Sequence, residues 1–322
     1  MTFLKDENEP RQQPALKALD VLDDQYEARF DRITRLAQRV LGTERAGVTL
    51  IDDHNQWFMS LQGPKIGDVE RHNSFCAVAV ETPSDPLIVE DARADARFSD
   101  NPLVTAEQGI RFYAGQPIKG PDGAPVGALC VTDPEPRSAE SVDLQSLRDL
   151  AAMVEDEIAA LELAITDPLT GLANRRGFEL LAPQIHAVAD RLDAPIAVLY
   201  IDVDNLKPLN DYCGHDAGDR ALIETARLLQ NELRESDVIA RIGGDEFAAL
   251  LTNSSEHDAS AAIERIRAAT KRRNEQTDEP FELQMSVGAA LSRRGMSLAS
   301  IVEEADAQMI AAKRERKLAR AA

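Results

Sequence analysis

The sequence predicts an α+β protein built from two folded domains with a helix between them. Three observations predict it. A helical repeat followed by short strand-like runs opens the chain. A stretch without Gly or Pro, residues 138–165, carries an unbroken helical spacing. Alternating helix and strand patterns fill the remainder. A chain of 322 residues suits two domains of ordinary size.

The first domain is expected over residues 19–137. Phe30, Ile33, Leu36, Ala37, Val40 and Leu41 recur at helical spacing, and Gly42 ends the pattern. Strands are expected at Ala46–Ile51, Gln56–Ser60, Leu87–Val89, Phe112–Ile118 and Val126–Thr132. Turn sequences such as Asp52-Asp53-His54-Asn55 and Pro121-Asp122-Gly123 separate them. A helix followed by antiparallel strands is an α+β sheet domain. Residues 1–18, charged and bearing proline, are expected to be a mobile tail without a signal-peptide core.

Residues 138–165 form the expected linker helix. Leu144, Leu147, Ala151, Val154, Ile158, Leu161 and Ile165 alternate at spacings of three and four. Such a seam either packs on its own domain or pairs with a second chain as a parallel coiled coil. The second reading is favoured here because the helix joins two domains.

The last domain is expected over residues 166–322. Helices are predicted at Phe178–Leu192, Asp219–Leu233, Ala259–Arg273 and Leu298–Lys317. Strands are predicted at Ile196–Ile201, Val238–Ile242, Phe247–Leu251 and Phe281–Leu291. The core order β-α-β-β-α-β is that of ferredoxin-like domains. Gly243-Gly244-Asp245-Glu246 links the two middle strands as a hairpin.

Composition narrows the function. Thirty-six basic residues against 56 acidic ones give a net charge of −20, which disfavours nucleic acid as a partner. No apolar run reaches the ~20 residues a bilayer span needs. A cytoplasmic protein without a membrane partner is expected. Cys76, Cys130 and Cys213 lie far apart with no CxxC, which fits a reducing compartment. Cys76 reads as a buried structural cysteine, because no basic residue flanks it.

The chemistry lies in two acidic clusters. Asp202-Val203-Asp204 follows an apolar strand, and Asp245-Glu246 sits on the glycine hairpin. If the two strands are neighbours, Asp202, the Val203 carbonyl and Asp245 can offer oxygen ligands to Mg²⁺, with Mn²⁺ as the alternative ion. Between the clusters, Lys207 is a candidate phosphate cation, and Asn210 and Asp219 are candidate base readers. A carboxylate accepts from both the N1–H and the amine of guanine, so Asp219 favours guanine over adenine.

Residues 166–317 resemble the GGDEF family of diguanylate cyclases. The likeness is carried by Asp167-Pro168-Leu169-Thr170-Gly171-Leu172-Ala173-Asn174-Arg175-Arg176, by Asp202–Asp219 and by Gly243-Gly244-Asp245-Glu246-Phe247. It implies condensation of two GTP into cyclic di-GMP with release of two pyrophosphates. Carried over by position, Asp202, Val203 and Asp245 hold the metal, and Asn210 and Asp219 hold guanine. Lys207 and Lys313 meet phosphates, and Gly243 and Gly244 let the backbone approach them. Asp245, Glu246 and Lys207 form the catalytic set, with Glu246 acting as base or as ligand to a second metal. Arg234 and Asp237 match the family's product-inhibition motif. Leu206 and Ile310 depart from the family's aromatic residues. Arg316-Lys317 stands where the family has Gly-Arg, which puts a Lys317 phosphate contact in doubt.

Residues 19–136 resemble a GAF domain, a module that binds small ligands or nothing. The matching segments include Gln56-Trp57-Phe58, Ser74-Phe75-Cys76, Ile110–Gly115 and Gly127–Val131. Trp57, Phe75, Cys76, Phe112 and Tyr113 either line a pocket or form ordinary core. The expected whole is a homodimer, paired through the GAF domain and linker helix, since one catalytic domain binds one GTP. The alternative is a catalytically silent receptor for cyclic di-GMP.

Overall fold

The computed structural model describes residues 24–67 and 69–321, apart from the side chains of 24–27, 317 and 319–321. The expected tail over residues 1–18 and the side chain of Lys317 lie outside the described residues. The chain divides into two compact units, which part between Glu162 and Leu163.

The first unit opens with α1 (Asp24–Leu41), which buries Phe30, Ile33, Ala37 and Leu41. Leu36 and Val40, also part of the predicted stripe, face outward at 45% and 50% exposure. Gly42 follows in the left-handed region at φ 61°, a common way to end a helix. A six-stranded antiparallel sheet comes next. Its strands are β1 (Arg45–Ile51), β2 (Asn55–Gln62), β3 (Val69–Glu70), β4 (Leu87–Val89), β5 (Phe112–Lys119) and β6 (Pro125–Asp133). Their spatial order is β3-β2-β1-β6-β5-β4. Two short helices unforeseen in the sequence, α2 (Phe75–Val80) and α3 (Pro102–Thr105), cover one part of it. They build a core with Phe75, Cys76, Phe98, Val104, Tyr113 and Cys130. Phe75 stacks on Phe98 at 4.0 Å and on Tyr113 at 5.0 Å. Phe75, Cys76 and Tyr113 line one cavity; Phe112, fully buried, and Trp57, which is 46% exposed and donates to Asp52, do not line it.

The linker helix α4 runs Leu144–Ile165. Its heptad seam is already covered within one chain. Leu147, Ala151, Val154, Ile158, Leu161 and Ile165 are all buried. Glu157 pairs with Arg29 of α1 at 2.9 Å, and Glu155 accepts from the Lys119 amide. A helix whose seam is buried within its own chain needs the same apolar spacing as a coiled-coil seam.

The second unit comprises β7 (Ala173–Asn174), α5 (Arg175–Leu192), β8 (Ala197–Val203), α6 (Leu206–Cys213), α7 (His215–Glu232), β9 (Val238–Arg241), β10 (Glu246–Leu251), α8 (Glu256–Gln276), β11 (Met285–Leu291) and α9 (Leu298–Ala321). The sheet order is β11-β8-β10-β9-β7, with β7 parallel to β9 and the rest antiparallel. This is the expected ferredoxin-like arrangement with one extra edge strand. Central β8 is buried at every residue, as a strand covered on both faces must be. Residues 281–284 precede β11 rather than belonging to it. The predicted helix at Asp219 begins earlier, at His215, and Gly214 (φ 85°) separates it from α6. Gly288 lets α9 settle directly on β11, since a Cβ there would overlap the Ala305 carbonyl and the Met309 amide.

Candidate functional site

The end of β8 and the β9–β10 hairpin meet. Glu246 lies opposite Asp202 in the antiparallel register, and the Val203 amide donates to the Asp245 carbonyl at 2.8 Å. Strand pairing alone thus brings the two acidic clusters together. Asp202 is 6% exposed. Burial pushes its carboxyl above the ordinary range; Lys313 opposes this, and the charges of Asp245 and Asp204 reinforce it.

Two cations from α9 face this acidic end. Lys313 Nζ lies 2.5 Å from Asp202 Oδ1. Burial works against the lysine's charge, but the hydrogen bond and charge of Asp202 outweigh it and hold its pKa up. Arg316 donates to Asp204 at 2.6 Å and to the Met285 carbonyl at 2.7 Å. Ser286 donates to both Asp204 oxygens at 3.0 Å. Lys313, expected on a phosphate, is paired with the Asp202 carboxylate.

The hairpin tip is held from below. Arg241 donates to the Gly244 carbonyl at 2.7 Å and reaches Asp167 through Nη1. Asp167 also accepts from the Thr170 amide and hydroxyl, closing its own turn. Arg175 donates to the Ile242 carbonyl at 3.0 Å. Asn174 caps α5 by accepting from Gly177 and donates to the Ala164 and Thr166 carbonyls. The segment Asp167–Arg176 is a scaffold for the tip. Glu246 folds back beneath Gly243, where a Cβ would overlap its carboxylate. Tyr200 lies two residues before Asp202 on β8. Burial and the negative charges of Glu246 and Asp306 push the Tyr200 hydroxyl up to about 12. The contacts of Tyr200, Arg241, Arg175 and Arg316 escaped the sequence reading, because each is a tertiary contact that no local pattern records.

Asn210 and Asp219 come from the facing helices α6 and α7. Gly218 permits their approach, since a Cβ there would strike the Asn210 amide. Asn210 Oδ1 is buried and has no partner, while Asp219 beside Gly218 is exposed. An unpaired buried amide costs free energy until a ligand satisfies it. Lys207 is exposed on α6.

Arg234 and Asp237 differ in kind. Arg234 is exposed. Asp237 is 8% exposed, and its oxygens accept the amides of Arg234 at 2.9 Å and Thr252 at 3.0 Å. Its carboxylate therefore closes the turn before β9.

The acidic end suits a hard divalent cation. Its donors are all oxygen, and its four carboxylates outnumber the two cations facing them. Among the described residues, no group of three or more His, Cys, Asp and Glu side chains could hold a metal ion. Two carboxylates with a strand-end carbonyl form a smaller set, adequate for an ion that keeps waters and substrate oxygens as its other ligands.

The family model described as "Diguanylate cyclase, GGDEF domain" matches residues 164–318, and that of the GAF domain matches residues 25–158. Residues 164–318 are a GGDEF domain, and a GAF domain lies ahead of it at residues 25–158. The GAF match extends into α4. The chain is 30% identical over 269 residues to the cyclic di-GMP phosphodiesterase PA2567 of Pseudomonas aeruginosa, covering 82% of this chain and 45% of that protein. It is 33% identical over 173 residues to the diguanylate cyclase DgcP of Escherichia coli K12, covering 49% of this chain and 51% of the relative. The chain thus spans about half the length of these curated relatives. The solved coiled coil and GGDEF domain of DgcB from Caulobacter crescentus, in complex with c-di-GMP, is 27% identical. It covers 53% of this chain and 92% of that one, with a TM-score of 0.50. Among the described residues, no helix is long and apolar enough to cross a membrane.

Proposed function

We propose that this GGDEF protein is a diguanylate cyclase that joins two GTP molecules into cyclic di-GMP and releases two pyrophosphates. The observation that carries the reading is the pairing of Asp202 with the Asp245-Glu246 tip across one strand register. The diguanylate cyclases among its relatives add to it.

The chemistry is in-line displacement at an α-phosphorus by a 3′-hydroxyl. A divalent cation, taken as Mg²⁺ or Mn²⁺, would neutralise charge on the attacking and leaving oxygens. Asp202, Asp245 and the Val203 carbonyl would hold it. Lys207 and Lys313 would meet the phosphates, with Lys313 leaving Asp202 to do so. Gly243 and Gly244 would present backbone without side-chain obstruction. Asn210 and Asp219 would read guanine, supported by the unpaired Asn210 oxygen. Tyr200 keeps its proton beside Glu246, and that carboxylate would accept from the attacking hydroxyl or bind a second metal.

In this reading, residues 19–137 sense, 138–165 link and 166–322 catalyse. Two catalytic domains must face each other, because the product contains two substrates. Pairing would run through the GAF domain and linker helix. Leu36 and Val40, one turn apart on α1, and Met153 on α4 are exposed and apolar, which suits such a contact. Arg234 would bind product and restrain the enzyme.

The chain, incubated with Mg²⁺ and GTP, is expected to yield cyclic di-GMP by chromatography, and ATP is expected to remain unchanged. Binding of cyclic di-GMP without turnover of GTP would support the receptor reading instead. Hydrolysis of added cyclic di-GMP would support the activity of the phosphodiesterase relative.

A further inference from the structure

The GAF unit contains a buried pair of thiols that the proposed function does not use. Cys76, on α2, is 2% exposed, and Cys130, on β6, is 6% exposed. Both line the same partly open cavity of about 20 Å³, together with Tyr113, Thr132 and Arg45. That volume holds about one water molecule. Tyr113 donates its hydroxyl hydrogen to Cys76 Sγ at 3.3 Å.

The sheet is shaped to admit this pair. Cys130 lies between Gly47 on β1 and Gly115 on β5 in the strand register, so neither neighbour places a side chain beside it. Gly115 has a second role, since a Cβ there would overlap the Tyr113 hydroxyl that reaches Cys76. We propose that Cys76 and Cys130 are a redox-active dithiol, which a small hydroperoxide entering this cavity converts into an intramolecular disulfide.

The two sulfurs differ in role. The hydrogen bond from Cys130 holds Cys76 below the ordinary thiol range against the effect of burial, and the Tyr113 hydroxyl acts in the same direction. The same thiol–thiol hydrogen bond, and burial, push Cys130 up. Cys76, the sulfur that the Tyr113 hydroxyl reaches, is the attacking thiolate and Cys130 the resolving thiol. Cys76 Sγ attacks one peroxide oxygen, the O–O bond breaks, and the departing oxygen leaves as water or an alcohol after taking a proton. The Cys76 sulfenic acid is then attacked by Cys130 Sγ. The S–S bond forms, the S–O bond breaks, and a second water leaves with the remaining proton. Two thiols and one hydroperoxide give one disulfide, one water and one water or alcohol. The sulfurs lose two electrons and the peroxide gains them.

The test uses the full chain carrying Cys213→Ser, which leaves only these two of its three cysteines. The protein is treated with hydrogen peroxide, denatured and alkylated, and then read by intact mass and non-reduced peptide mapping. Both thiols are expected to vanish together, with one peptide pair joining Cys76 to Cys130, and dithiothreitol is expected to restore both. Retention of both alkylatable thiols, or their separate over-oxidation without a linked peptide, would overturn the proposal. In the same background, Cys130→Ser should leave a Cys76 sulfenic acid trappable by dimedone, and Tyr113→Phe should slow disulfide formation several-fold. A Cys130 that oxidises equally fast in Cys76→Ser would overturn the assignment of roles.

Discussion

Arg241 and Asp167 form a two-oxygen ion pair, with Nη1 of the arginine 3.2 Å from each carboxylate oxygen. The same guanidinium holds the Gly244 carbonyl, so an aspartate at the start of the GGDEF domain fixes the hairpin tip. Both side chains are less than a fifth exposed. Asp167→Asn is expected to destabilise the domain by roughly 1.5–3 kcal/mol, the worth of hydrogen bonds to a charged group. GTP turnover should fall with it. Thermal unfolding and initial-rate assays on the same preparation would check this.

Asp245→Ala should reduce turnover by about 10²–10³-fold or more, the scale seen when a charge-stabilising group is lost from an active site. Its melting temperature should stay near that of the parent. Asp202→Ala should lose activity equally but also melt earlier, because it strands Lys313 without its partner. Full activity in Asp245→Ala would exclude the proposed metal role.

Gly218→Ala separates binding from folding. A methyl group there displaces the Asn210 amide, the flexible end of a side chain, while alanine suits a helix interior better than glycine. The variant should be at least as stable as the parent, with GTP affinity weakened about tenfold, roughly 1.4 kcal/mol. Isothermal titration with GTP would read both the loss and any loss of guanine preference.

Arg234 and Asp237 should respond differently to the same change. Arg234→Ala is expected to abolish the slowing of progress curves by accumulated cyclic di-GMP and to leave the initial rate unchanged. Asp237→Ala also removes the acceptor of two backbone amides, so it should cost roughly 1.5–3 kcal/mol of stability. Progress curves with added product, set beside denaturant midpoints, would distinguish the two.

The GAF unit should carry an acid-sensitive contact. Arg111 donates to both oxygens of Asp91 at 2.8 and 2.7 Å and holds its carboxyl below the ordinary range, helped by the Arg93 amide and opposed by burial. A carboxyl lowered in the folded state stabilises fully above its unfolded value, and that gain is lost as pH falls through the folded value. Asp91→Asn should therefore melt earlier than the parent at about pH 7, and the gap should close as pH falls through and below the ordinary carboxylate range. A gap independent of pH would exclude the linkage.

Much of this was legible in the sequence, for identifiable reasons. A strand has a period of two, so the apolar run before Asp202 and the glycine hairpin at Asp245 located both acidic clusters before any coordinates. The GAF strands were readable because turn residues delimit them. The α6–α7 break was not, because Gly214 interrupts a segment read only as a motif. Lys313 was found by its position in the last helix, but its resting partner Asp202 lies in a distant strand. The seam of α4 was ambiguous in principle, since Leu147 and Ile158 need only an apolar cover and the pattern does not say whose. Tyr113 and Cys130 are joined to Cys76 only by the curl of the sheet.

Lys313 and Arg316 lie one helical turn apart, and the carboxylates they grip lie two residues apart at a strand's end. A stiff rod bearing both counter-charges against a stiff edge resists being peeled away one bond at a time. Mutual repulsion therefore does not splay this end of the sheet in plain water. Whatever arrives there finds its berth already laid out and has only to dislodge an occupant.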